Sequence, residues 1–306
     1  MHAASREAFR PHLRAFTRLQ RRARVTRMRT VFTLFVVSCA MCLAGCSHSR
    51  KFELRGQIVA VDRGRQELTI KHEDIRGFMP GMTMPFKVRD ARLLEGREAG
   101  DLVKAMLVVE NATAYLSSVE RIGHAELDAP PPPPRVDVLE PGQPVPDVRL
   151  TDEAGTSRML SDRRGRIVAV TFTYTRCPMP DFCPRMDQQF KQVQGEILAD
   201  PAMRDRIALL SVSFDPAFDT PQVLAAHAQQ LGADPRVWHF VTGERDAIGA
   251  FASALGISII RDGPSAAAVT HNLRTAVIAS DGTLLTIFNG SDWTPADLLH
   301  ALRQAH

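Results

Sequence analysis

The stretch Arg166-Ile167-Val168-Ala169-Val170-Thr171-Phe172-Thr173-Tyr174, running into Thr175-Arg176-Cys177-Pro178 and then Cys183-Pro184-Arg185-Met186, decides the fold. Its first half is an apolar, β-branched run without alternation, the pattern of a central strand covered on both faces. Cys177 follows that strand directly, and Cys183 precedes a helical stretch predicted from Pro184 to about Leu198. Proline suits the first helical position, where an amide hydrogen would be unsatisfied anyway. Cys183 is therefore expected near a helix N-terminus, where free amides and the helix dipole favour a thiolate.

Working outward, a strand is predicted at Ile207–Phe214 and helices at Pro221–Leu231, Arg245–Leu255 and Pro295–Gln304. Leu273–Ser280 and Thr283–Asn289 flank Asp281-Gly282, a strong hairpin signal. Strands alternating with helices and closed by a hairpin and a helix give an α/β thioredoxin-like domain over 145–306. Upstream, Pro130 to Pro134 and nearby prolines predict a semi-rigid linker over 124–144. Before it, five short alternating runs between Glu53 and Ile122 predict a small antiparallel, OB-like β-barrel over 53–123, behind a polar tether at 47–52. The chain is thus read as multidomain.

The net charge of +4 is local in origin. Residues 1–45 hold nine arginines and one acid, so the remainder carries 29 basic and 33 acidic residues, a net of −4. That balance excludes nucleic acid as an expected partner. Arg27 and Arg29 lead into a short apolar run, Val31 to Leu43, too short to span a bilayer comfortably. It ends in Leu43-Ala44-Gly45-Cys46, which resembles the bacterial lipobox. The resemblance implies a signal peptide over 1–46 and acylation of Cys46. The membrane contact would then be an N-terminal lipid on the periplasmic face, and Met28 is a second candidate start. Cys39 and Cys42 fall in the discarded segment, leaving Cys177 and Cys183 as the thiols of an exported protein. In an oxidising compartment such a pair is a structural disulfide, a redox dithiol or a metal pair.

The cysteine segment, together with Leu210-Ser211-Val212-Ser213-Phe214-Asp215-Pro216, Asp219-Thr220-Pro221 and Thr270-His271-Asn272, resembles the Sco/SenC family from about Val145 to the C-terminus. The resemblance implies copper bound by Cys177, Cys183 and His271, and a partner in the copper subunit of cytochrome c oxidase or another cuproprotein. Five residues separate the cysteines where that family usually has three. Two thiolates and an imidazole suit Cu(I), and Cu(II) if a further ligand joins; zinc with a fourth ligand is the inorganic alternative. Asp215 and Asp219 are expected to form and cap the turn before Pro221, and His124, His227, His239 and His300 to be ordinary hydrogen-bonded histidines.

In the barrel, Met79-Pro80-Gly81-Met82-Thr83-Met84-Pro85-Phe86 puts Met82 and Met84 on one face of a strand, within reach of His72. Thioethers and imidazole are ligands for Cu(I) or Ag(I), although methionine also fills cores. This segment resembles the periplasmic copper- and silver-binding barrels of the CusF type, implying His72, Met82 and Met84 as ligands. Met79 stands where that family carries a tryptophan and is a further thioether candidate. Three functions accommodate these features: a copper metallochaperone, a thiol–disulfide reductase using Cys177 and Cys183, or a copper-resistance buffer.

Overall fold

The computed structural model describes residues 49–110, 113–127, 138–261 and 269–305. The segment expected to be a signal peptide, with Cys46, and the proline run lie outside the described residues.

Five strands make the first sheet: β1 (Ser49–Asp62), β2 (Glu67–His72), β3 (Met82–Lys87), β4 (Asp101–Glu110) and β5 (Thr113–His124). All neighbours are antiparallel, in the order β3-β2-β1-β4-β5. A parallel bridge from Val88 to Leu116 joins the two edges and closes the barrel. Alternation decides what faces inward: Leu68, Ile70 and His72 from β2, and Met82, Met84 and Phe86 from β3, are buried while their neighbours are more exposed. The tether expected at 47–52 is corrected here. Ser49 to Phe52 extend β1, with Ser49 opposite Glu110 and Phe52 opposite Leu107, because β4 supplies backbone partners that an isolated tether would lack.

The second sheet has seven strands in the order β14-β13-β8-β9-β10-β6-β7. They are β6 (Arg149–Asp152), β7 (Ser157–Met159), β8 (Ile167–Thr173), β9 (Ile207–Ser213), β10 (Trp238–Thr242), β13 (Arg274–Ile278) and β14 (Leu284–Asn289). Strands β8, β9 and β10 run parallel, and β13 and β14 return antiparallel through the turn at Asp281-Gly282, where Gly282 has φ of +89°. Every residue of β8 and β9 is buried, as the unbroken apolar run requires. Helices α1 (Cys183–Ala199), α2 (Pro201–Arg204), α3 (Pro221–Leu231), α4 (Arg245–Ala254) and α5 (Pro295–Gln304) supply the flanking layers. Met186, Phe190, Val193 and Ile197 form the buried stripe of α1 against one face of the sheet. Phe251, Ala252 and Ile248 of α4 cover the other face, with Phe172 and Val170 beneath them.

Three short features escape the periodicity argument: the β6–β7 hairpin, β10, and a two-stranded ribbon of β11 (Ile259–Arg261) and β12 (Val269–His271). Strands of three to five residues offer too few positions for a period to register. The linker expected at 124–144 also needs correction at both ends. His124 closes β5, paired with Asp101, and residues from 139 onward are docked on the α/β domain. Leu139 N–H donates to Ala254 O, Gly142 N–H to Leu284 O, and Leu284 N–H to Gln143 O.

Candidate metal centre

The loop between Cys177 and Cys183 is held from below by two buried carboxylates. Asp219 accepts from Thr175 N–H at 3.1 Å, from the Thr175 hydroxyl and from the Ser213 hydroxyl. Asp215 pairs with Arg176, whose guanidinium lies over Phe218 at 4.1 Å. The turn role expected of these aspartates holds for the Asp215 backbone, which accepts from Phe218 and Asp219 N–H. Capping does not: the α3 N-cap is Thr220, whose hydroxyl accepts from Val223 N–H. Both acidic side chains turn inward because the strand-to-helix loop leaves buried donors that need acceptors.

Despite five intervening residues, the loop folds back far enough for each thiol to shift the other's titration, and both are free thiols. The expectation that Cys183 carries the thiolate is reversed. Cys183 is buried inside the first turn of α1, and desolvation pushes its thiol well up. Cys177 is pushed down by the Cys183 thiol, the Cys183 and Met179 backbone amides, and the Tyr174 hydroxyl. The helix N-terminus therefore stabilises charge on Cys177, through the amide of Cys183, and not on the cysteine that begins the helix.

His271 ends β12. Its ring packs on Phe214 with centroids 4.4 Å apart and stands edge-on to Tyr174 at 6.1 Å. Nδ1 lies 3.0 Å from the Asn272 carbonyl oxygen. A carbonyl only accepts, so Nδ1 carries the hydrogen and Nε2 keeps its lone pair. Burial drives the imidazole pKa down to about 4, leaving it neutral at ordinary pH. Tyr174 stands beside both candidate ligands: its hydroxyl helps lower the Cys177 thiol, and its ring is edge-on to His271. Cys177 and His271 line one cleft, while Cys183 is buried and does not line it.

The barrel arrangement repeats this logic. His72 lies opposite Met82, and Ile70 opposite Met84, across the β2–β3 pair. Nδ1 of His72 donates to Glu73 O at 2.7 Å, so Nε2 is again the free nitrogen. That nitrogen is fully buried without a hydrogen-bond partner. Burial also lowers the pKa of His72, which is 4% exposed. A buried, unpaired acceptor costs about 1–3 kcal/mol, and a soft cation held with the neighbouring thioethers would remove that cost. Gly56 makes this packing feasible: a Cβ there would lie 2.5 Å from Lys71 O and 2.8 Å from His72 Cα. The donor set therefore fits Cu(I) without rearrangement of ring tautomers. Met79 is buried in the same core.

Sequence reasoning treated the two ligand sets as separate. The structure brings them to one junction: Met79, Met82, Met84 and Pro85 of the barrel line the same cleft as Tyr174, Cys177, Met179 and His271. Ala114 N–H of β5 donates to the Asp181 carboxylate at 3.0 Å, tying the barrel to the cysteine loop. Tyr174, Phe214 and Asp181 carried no separate signal in the sequence. Three of the four histidines set aside are hydrogen-bonded as expected: His124 to Asp101, His227 to Asp187 and His239 to Glu153.

The comparisons agree with this division. The model of the family described as SCO1/SenC matches residues 139–306, and that of the copper-binding periplasmic protein CusF matches residues 51–121. A Stutzerimonas stutzeri protein, provisionally described as copper-binding, is 25% identical over 142 residues, covering 46% of this chain and 66% of that protein. The SCO1 protein homolog of Bacillus subtilis is 25% identical over 147 residues, 48% of this chain and 74% of that one. The chain thus spans just under two thirds of the first relative's length. A SCO1/SenC family lipoprotein structure from Bacillus anthracis aligns with a TM-score of 0.48 and 21% identity, covering 55% of this chain and 98% of that one. Copper is the metal that both matched families bind.

Proposed function

We propose, from the premise that this chain is a member of the SCO1/SenC family, that it is an extracytoplasmic, lipid-anchored carrier of Cu(I). Copper would be held by Cys177, Cys183 and His271 in the α/β domain, and by His72, Met82 and Met84, with Met79 nearby, in the barrel. Cys46 would carry the lipid. By the family resemblance, the recipient is the copper subunit of cytochrome c oxidase or another cuproprotein. The observation that carries the reading is the paired tautomer: both histidines spend Nδ1–H on a backbone carbonyl and keep Nε2 neutral and unprotonated. A backbone acceptor on one ring nitrogen fixes the other for a metal.

Metal analysis of the soluble chain from Ser47, purified under reducing conditions, tests it. Two Cu(I) per chain are expected, one lost in Cys177→Ala/Cys183→Ala and the other in Met82→Ala/Met84→Ala. Full copper in the His271→Ala variant at the cysteine site would refute the ligand assignment. A second reading has its own support: the lowered thiol of Cys177 beside the raised thiol of Cys183 is an attacking and resolving pair for disulfide exchange. That chemistry does not need His271, so a variant that loses copper but keeps its disulfide-reductase rate separates the two. A resistance buffer would bind copper without passing it to an apo-cuproprotein.

A further inference from the structure

Met179 sits between Pro178 and Pro180 in the loop that separates the cysteines. Its side chain, however, belongs to the barrel: it is 4% exposed and packs in the barrel core with Met79, Met82 and Met84. Its backbone lies against the cysteines, with the carbonyl oxygen 3.9 Å from Cys177 Sγ and the amide among the donors that lower that thiol. One residue therefore reaches the thioether cluster with its sulfur-bearing arm and the Cys177 thiol with its main chain. The loop cannot readily drift from this position. Phe182 N–H donates to Met179 O, Cys177 N–H to Tyr174 O, and Asp181 is bonded to Ala114 of β5. The cleft these residues line is small but open, with room for an ion and a few waters. A wider groove of about 400 Å³ beside it shares Met84, Met179, Phe182 and His271 and opens to solvent.

We infer that Met179 is a relay ligand, a thioether through which Cu(I) passes inside one chain from the barrel donors to Cys177, Cys183 and His271; this rests on the copper reading above. The step is ligand exchange without redox change. Copper–thioether and copper–imidazole bonds to the barrel break, copper–thiolate bonds form, and each thiol that becomes a thiolate releases its proton to water. Thioether ligands bind Cu(I) without a charge to lose, so a chain of them gives a path with no deprotonation until the cysteines are reached.

The full soluble chain, reduced and metal-free, is mixed with one equivalent of Cu(I) in stopped flow, and the copper–thiolate absorbance is followed. In the parent chain the band should rise at a rate independent of protein concentration. Met179→Leu, which keeps the volume, should reach the same final amplitude at least tenfold more slowly. In parallel, NMR of chains carrying ¹³C-methyl methionine should show the Met179 methyl shifting with those of Met82 and Met84 on titration with Ag(I). Equal rates in parent and Met179→Leu, or a Met179 methyl that does not move with Ag(I), would overturn the relay and leave Met179 as core packing. Absence of a copper–thiolate band in the parent chain would instead sink the copper reading itself.

Discussion

Acidifying the metal-free, reduced protein should expose the partial burial of His271 as a loss of stability. Its ordinary pKa of 6.5 falls to about 4 in the folded chain, chiefly by desolvation. Above pH 6.5 the ring is neutral in folded and unfolded states alike, so it contributes no pH dependence. Between the two values the unfolded chain takes up a proton that the folded chain refuses, and stability drops as pH falls; below about 4 the loss is complete. Between about pH 7 and about pH 4.5 this single group accounts for about 2 kcal/mol, roughly a thirtyfold change in the folding equilibrium. His72 shifts in the same direction, so a comparison isolates His271. Urea unfolding of the parent chain and of His271→Gln, each at both pH values, gives the cycle. The parent should lose about 2 kcal/mol more than the variant. Equal losses would mean that the His271 ring is solvated in the folded protein, and the argument for a pre-neutralised Nε2 would fall with it.

Three further outcomes follow from the same geometry. Cys177 should be alkylated at least tenfold faster than Cys183 in the native reduced chain, since only its thiol is lowered and it lines the cleft; mass-spectrometric mapping of the two peptides at short times reads this, and equal rates would contradict it. Met82→Leu/Met84→Leu should remove one Cu(I) while costing under about 1.5 kcal/mol each, because volume is conserved; metal analysis beside thermal unfolding checks both halves. Asp219→Ala leaves the Ser213 and Thr175 donors unpaired in a buried site, so it should destabilise by about 1–3 kcal/mol or more in denaturant titration, and loosening of the loop should equalise the cysteine alkylation rates.

Much of this molecule is local enough to read from residue order. The β-branched run ending at Thr173 has no polar face, so it is a buried strand in any fold that contains it. Pro221, Asp281-Gly282 and Pro295 mark helix starts and a hairpin through backbone sterics alone. Period-two alternation in β2 and β3 likewise put His72, Met82 and Met84 on one face before any packing was known. Tertiary structure decided the rest, because desolvation and long-range proximity have no sequence period. It moved the favoured thiolate from Cys183 to Cys177, since burial of the helical cysteine outweighs its helix terminus. It turned Asp215 and Asp219 from turn residues into anchors of the cysteine loop. It also carried Met179, 95 residues beyond Met84 in the chain, into the methionine core of the barrel. Residue order could name the sulfur and nitrogen donors of each domain; that they face a single cleft depends on how the barrel seats on the α/β domain, which only the folded chain determines.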